Sequence, residues 1–116
     1  MLIRMKEQWK PVVGAEGKYE VSSYGRIRTL HKLGRRPGDG FLRPTKTRKG
    51  YIRVGLTVNK KCFAKLVHRL VLDAFIGPQP SSLHECNHKD GVKSNNYATN
   101  LEWVLPTANN KHARDL

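Results

Sequence analysis

The chain is short of acid, of cysteine and of any long apolar stretch. Nine Asp and Glu stand against 22 Lys and Arg in 116 residues, a net charge of +13 with the histidines neutral, which excludes a surface built for cationic partners. Two cysteines, Cys62 and Cys86, supply no disulfide framework, and without a C-x-x-C pair no structural zinc is expected. Both thiols are expected to be reduced, small core residues. No apolar run approaches the ~20 residues of a membrane span, and Met1 to Arg4 open no signal-peptide core, so a cytoplasmic protein is expected. Aromatic residues make up 8% of the chain and form no stacking platform on its strands, which argues against an RNA reader. A large multi-domain enzyme is excluded by length alone.

What is present is positive charge, unevenly spread. With a mean hydropathy of −0.61 and a pI near 10.2, the chain is globular in composition and suited to polyanions, whose affinity falls steeply with salt. No segment joins a basic face to a strongly apolar helical face, so nucleic acid is preferred to a membrane surface. Residues 1–66 carry 17 basic and 4 acidic side chains, an excess of 13, whereas residues 67–116 carry 5 of each. The second part is electrically balanced. It also holds His68, His84, His88 and His112, leaving only His31 outside. One part is expected to hold a polyanion and the other to act on it.

The pattern along the chain predicts a mixed fold. Trp9 to Val13 and Lys18 to Val21 read as short strands, Ser22 to Gly25 as a tight turn, and Arg26 to Leu30 as a strand with arginines on its outer side. Gly34 to Gly40 reads as a mobile loop. Beyond it, Arg43, Lys46, Arg48 and Lys49 lead into a hairpin, Tyr51 to Val58 and Cys62 to Leu66, joined at Asn59-Lys60-Lys61. Cations on one face of such strands, Arg53 among them, suit a DNA groove or backbone. Leu66, Val67, Leu70, Val71, Ala74 and Phe75 recur at helical spacing, which predicts a helix over Lys65 to Ile76 ended by Gly77-Pro78. Leu83 to His88 and Leu101 to Leu105 read as strands, and Pro106 opens a last helix over Thr107 to Arg114.

An ordered series of motifs then carries a resemblance. Val67-His68-Arg69-Leu70-Val71, Asn87-His88-Lys89-Asp90-Gly91, Asn95-Asn96, Asn100-Leu101-Glu102-Trp103, and Asn109 with His112 together resemble the HNH nucleases, especially those related to phage intron-encoded homing endonucleases. Upstream, Trp9-Lys10-Pro11-Val12 and Tyr19 to Arg28 resemble the nuclease-associated modular motif, at about residues 7–30, that precedes such cores. The resemblance implies an α+β chain: a small basic β-rich region over residues 1–66, then a ββα-metal core (HNH, His-Me finger) over 67–116. It further implies a divalent ion, Mg2+ or Mn2+, and double-stranded DNA as partner, in the host cytoplasm if the chain is phage-encoded. Monomer and homodimer are both open.

Phosphodiester hydrolysis needs a base for water, a cation for the developing charge and stabilisation of the leaving oxygen. A histidine titrates near neutral pH and serves as such a base. By the resemblance, His88 is the base, Asn100 orders the loop and orients it, Asn109 and Asn87 hold the ion, and His112 contacts the scissile phosphate or assists the ion. His68 supports the site from behind. The DNA contacts fall to Arg26, Arg28, Arg43, Lys46, Arg48, Lys49, Arg53, Lys60 and Lys61. Taken alone, Asn95, Asn96 and Asn100 are equally explained as Asx-turn formers, Asp90 with Gly91 as a turn, and His84 as a bystander.

One position departs from the family pattern. Where many members place a metal-binding Asp before the base, this chain has Asn87, a neutral oxygen ligand that binds a hard cation weakly until phosphate completes the shell. The expected activity is metal-dependent DNA cleavage, by nicking or double-strand cutting. A catalytically weak or inactive HNH-like DNA-binding module is the alternative. With little chain after His112 there is no room for a C-terminal helix-turn-helix, so specificity is expected to be limited or to depend on a partner.

Overall fold

A computed structural model describes residues 6–30 and 40–106, and the fold is α+β with a β-rich N-terminal region. The predicted loop over Gly34 to Gly40 falls almost wholly outside the described residues, as do His31, Asn109, His112 and the last helix from Thr107.

Three antiparallel strands come first: β1 (Trp9–Pro11), β2 (Tyr19–Ser22) and β3 (Ile27–Thr29). Val12, Val21 and Ile27 point inward and are at most 2% exposed, which carries the alternation read from the sequence into packing. The predicted arginine side of β3 is less simple. Arg26 pairs with Glu7 and Arg28 with Glu20. The Arg28 guanidinium also lies 3.9 Å from the Trp9 ring centre and that of Arg26 lies 4.3 Å from Phe41. These arginines hold the small sheet together.

The second sheet joins β4 (Thr45–Lys46), β5 (Ile52–Val58) and β6 (Lys61–Leu66), all antiparallel. Its β5–β6 turn places Asn59 and Lys60 both at positive φ, 51° and 65°, as a two-residue type I′ hairpin requires. Val54 and Leu56 face the core while Arg53 and Thr57 face out. Every residue of β6 is exposed, so Cys62 is not the core residue expected from its type. Tyr19 ties the two sheets, its hydroxyl oxygen accepting the Thr57 N–H at 3.0 Å.

Strand β6 runs straight into helix α1 (Val67–Val71), which continues as a wider π-type turn over Leu72–Ile76. The predicted helix began two residues too early, because Lys65 and Leu66 are held in the ladder opposite Val54 and Arg53. The end is where Gly77 was expected to put it: its N–H reaches Leu72 O at 2.8 Å and its φ of 132° suits glycine. Val71 and Leu72 are fully buried, and each contributes about 1.5–3 kcal/mol through area removed from water. Against α1 and the turn lies the hairpin β7 (Glu85–His88) and β8 (Leu101–Val104), with Trp103 Nε1 donating to Gly77 O at 3.0 Å.

Candidate active site

The site grows from the β7–β8 hairpin and the loop between its strands. Antiparallel pairing sets Cys86 opposite Trp103 and His88 opposite Leu101 on the inward face, and Asn87 opposite Glu102 on the other. Neighbours in a strand leave it on opposite sides. His88 therefore sits inward, 8% exposed, with its ring 5.2 Å from His68 of α1 in an edge-on contact. Tyr51 completes the group, 5.3 Å from His68 and 6.1 Å from His88 between ring centres.

The tautomer of His88 follows from its one side-chain hydrogen-bond partner among the described residues. Its Nε2 lies 2.9 Å from Asn96 Oδ1, and an amide oxygen only accepts, so Nε2 carries the proton and Nδ1 keeps its lone pair. Asn96 is 4% exposed and braced from outside its own loop. Gly25, at φ 88°, approaches so closely that a Cβ there would lie 2.9 Å from Asn96 Cβ. Beside it Tyr24 stacks on Tyr97 at 4.6 Å, and Ala98 N donates to Ser23 O at 2.8 Å. The turn after β2 is thus a prop for the residue that orients His88.

Asn100 knots the loop. Its Oδ1 accepts the Asp90 N–H at 3.1 Å while its Nδ2 donates to Asp90 Oδ1 and Asn95 O at 3.0 and 2.9 Å. Asp90 also accepts from Asn95 Nδ2 at 2.7 Å and Val92 N at 2.8 Å. Those hydrogen bonds, led by the one from Asn95, lower its pKa below the usual carboxylate value. The Asp90 oxygens are occupied by the loop.

His68 is buried, its Nδ1 has no partner among the described residues, and burial first, then the neighbouring His88 and Arg69, pushes its pKa down to about 4. It stays neutral at neutral pH. Burial pushes the Cys86 thiol up to about 12. One donor atom each from His68, Cys86 and His88 lie within 4.8 Å of one another. That nitrogen-and-sulfur set suits zinc rather than Mg2+ or Mn2+. Hard oxygen donors stand on the other face, where Asn87 Nδ2 donates to Glu102 Oε2 at 3.0 Å. They fit a hard divalent ion.

Of the nine basic residues singled out from the sequence, Arg43, Lys46, Arg48, Lys49, Arg53, Lys60 and Lys61 are exposed and, among the described residues, make no ion pair. Arg26 and Arg28 are engaged internally. The basic loop also reaches the site: Lys93 Nζ donates to Lys49 O at 2.8 Å and lies 4.9 Å from the Tyr51 ring. His84 is held apart, its Nδ1 2.8 Å from Ser81 Oγ. Sequence reasoning passed over Asn96, Gly25, Tyr51 and Glu102 as site residues. Only cross-strand register and loop packing bring them to His88 and Asn87.

Comparison with known proteins agrees with this layout. Residues 7–57 match the model of the NUMOD4 motif and residues 65–111 the model of the HNH endonuclease family. An HNH endonuclease of Acanthamoeba polyphaga mimivirus is 40% identical over 111 residues, 94% of this chain and 30% of that protein. The DNA endonuclease I-HmuI of Bacillus phage SP01 is 37% identical over 102 residues, 88% of this chain and 55% of that one. A structure of the HNH homing endonuclease I-HmuI, from work on its DNA binding and cleavage, superposes with a TM-score of 0.80 at 35% identity, covering 93% of this chain and 58% of that one. The chain spans between about a third and just over half of these relatives.

Proposed function

Because the chain belongs to the HNH endonuclease family, we propose that it is a divalent-metal-dependent DNA endonuclease with His88 as general base. The observation that carries this reading is the His88 Nε2–H bond to Asn96, which leaves the Nδ1 lone pair to take a proton from the attacking water. As Nδ1 gains that proton, Nε2–H becomes a stronger donor and Asn96 Oδ1 stabilises the imidazolium. Asn100 and Asp90 keep the loop, and so Asn96, in place. His68, neutral behind the ring, adds no competing charge.

Asn87 and Asn109 would hold the ion, and His112 would contact the scissile phosphate or assist the ion. A bound Mg2+ or Mn2+ offsets charge that develops on the phosphate oxygens. Residues 67–116 form the cleaving part and residues 1–66 the holding part. There the exposed cations of β4 to β6 and the loop between β4 and β5 lie along duplex DNA, contacting its phosphates.

His88→Ala tests the assignment directly. The expected outcome is a loss of plasmid cleavage of about 10²- to 10⁴-fold with duplex affinity retained, and equal cleavage by the variant overturns it. A second reading, a DNA-binding module without cleavage, draws on the neutral Asn87 and its position on the strand face opposite His88. Cleavage lost with EDTA and restored by Mg2+ excludes that module. Binding without cleavage under every divalent ion establishes it.

A further inference from the structure

We propose that Glu102 supplies the negative charge of the divalent-ion site that the position before His88 lacks, acting side by side with Asn87. The inference rests on the endonuclease reading above and adds a residue to it. Register puts Asn87 and Glu102 directly opposite one another on the outer face of the β7–β8 hairpin, both half-buried. The Asn87 amide turns its nitrogen to Glu102 Oε2 at 3.0 Å, which directs its oxygen elsewhere as a ligand atom.

The charge pattern of the described residues sharpens the case. In a protein of net charge +13, Glu7, Glu20 and Asp73 each pair with an arginine, Glu16 accepts the Gly14 N–H of its own turn, and Asp90 is bound up in its loop. Glu102 makes no ion pair among the described residues, and its carboxylate accepts there from a neutral amide. A half-buried carboxylate left without a basic partner in a field this positive is suited to a cation from solution. The pairing also explains why an amide suits position 87. A second carboxylate at hydrogen-bond distance from Glu102 would repel it, whereas Asn87 keeps an oxygen ligand and donates to its neighbour.

A structural hydrogen bond and a cation site respond differently to one substitution. Glu102→Gln keeps the shape and the oxygen acceptor and removes only the charge. With the full chain and Mn2+ alone, followed by loss of the free-ion electron paramagnetic resonance signal, Glu102→Gln is expected to weaken binding about 10- to 100-fold at an unchanged melting temperature. The double variant Asn87→Asp with Glu102→Gln, which moves the charge across the strand pair, is expected to recover most of that loss. Wild-type affinity in Glu102→Gln, or no recovery in the double variant, overturns the proposal. If wild type cleaves plasmid and His88→Ala does not, an unchanged Mn2+ affinity removes Glu102 and leaves the endonuclease standing. If Glu102→Gln loses Mn2+ but wild type never cleaves, the ion site stands and the hydrolytic reading fails.

Discussion

The two N-terminal sheets use the same residue type for opposite ends. In β1 to β3 the arginines turn to Glu7, Glu20, Trp9 and Phe41 and hold the sheet together. In β4 to β6 and the loop between β4 and β5 the cations face solvent and, among the described residues, make no ion pair. What separates them is the supply of carboxylates, since Glu7 and Glu20 pair with the arginines of the first sheet and, among the described residues, no ion pair reaches the cations of the second. Positive charge alone therefore does not mark a DNA-binding residue. The turn of the first sheet braces the loop that carries Asn96, and the second sheet presents a basic surface.

The largest effect comes from breaking the brace. Gly25→Val sets a branched side chain at φ 88° against Asn96 and is expected to cost about 1–3 kcal/mol of stability. Cleavage should fall further than stability explains, because Asn96 orients His88. Thermal unfolding beside cleavage rates at a temperature where the variant is folded checks both parts, and full activity in the folded variant would disconnect the sheet from the site.

A smaller, paired effect sharpens the contrast between the sheets. Arg53→Ala is expected to weaken duplex binding and lower the slope of log affinity against log salt by about 1, with the melting temperature unchanged. Arg28→Ala is expected to leave that slope alone and destabilise the fold by about 1 kcal/mol through its lost carboxylate and ring contacts. Binding measured over a salt series, with unfolding curves for both variants, decides it. Identical behaviour would erase the distinction.

The effect that is smallest at neutral pH concerns His68, whose folded pKa near 4 lies below its ordinary value of 6.5. In that window the unfolded chain binds the proton that the folded one refuses, so stability is full above about 6.5 and is lost as pH falls toward 4. His68→Phe is expected to flatten this limb of the melting-temperature profile between those pH values, and an unaltered profile would count against a neutral, buried imidazole.

Much of the scaffold was legible beforehand. The helical spacing of Leu70, Val71, Ala74 and Phe75 located the element under the site, and alternation located β5, because periodic burial leaves a periodic trace. The start of α1 was misplaced since Lys65 and Leu66 fit both patterns, and the ladder to β5 takes them. Cys62 went to the surface because β6 is an edge strand exposed on both faces.

Composition and motif order by themselves determined that this is a basic α+β chain with a nuclease-like series of His and Asn, because charge and residue identity are local properties. Tertiary structure alone decided which arginines are occupied, which nitrogen of His88 carries the proton, and that Asn87 faces Glu102. Each of those depends on a partner outside its own local pattern, from the 8 positions separating His88 and Asn96 through the 15 separating Asn87 and Glu102 to the reach of Gly25 onto Asn96. Long-range pairing creates such neighbours, and no local pattern records them.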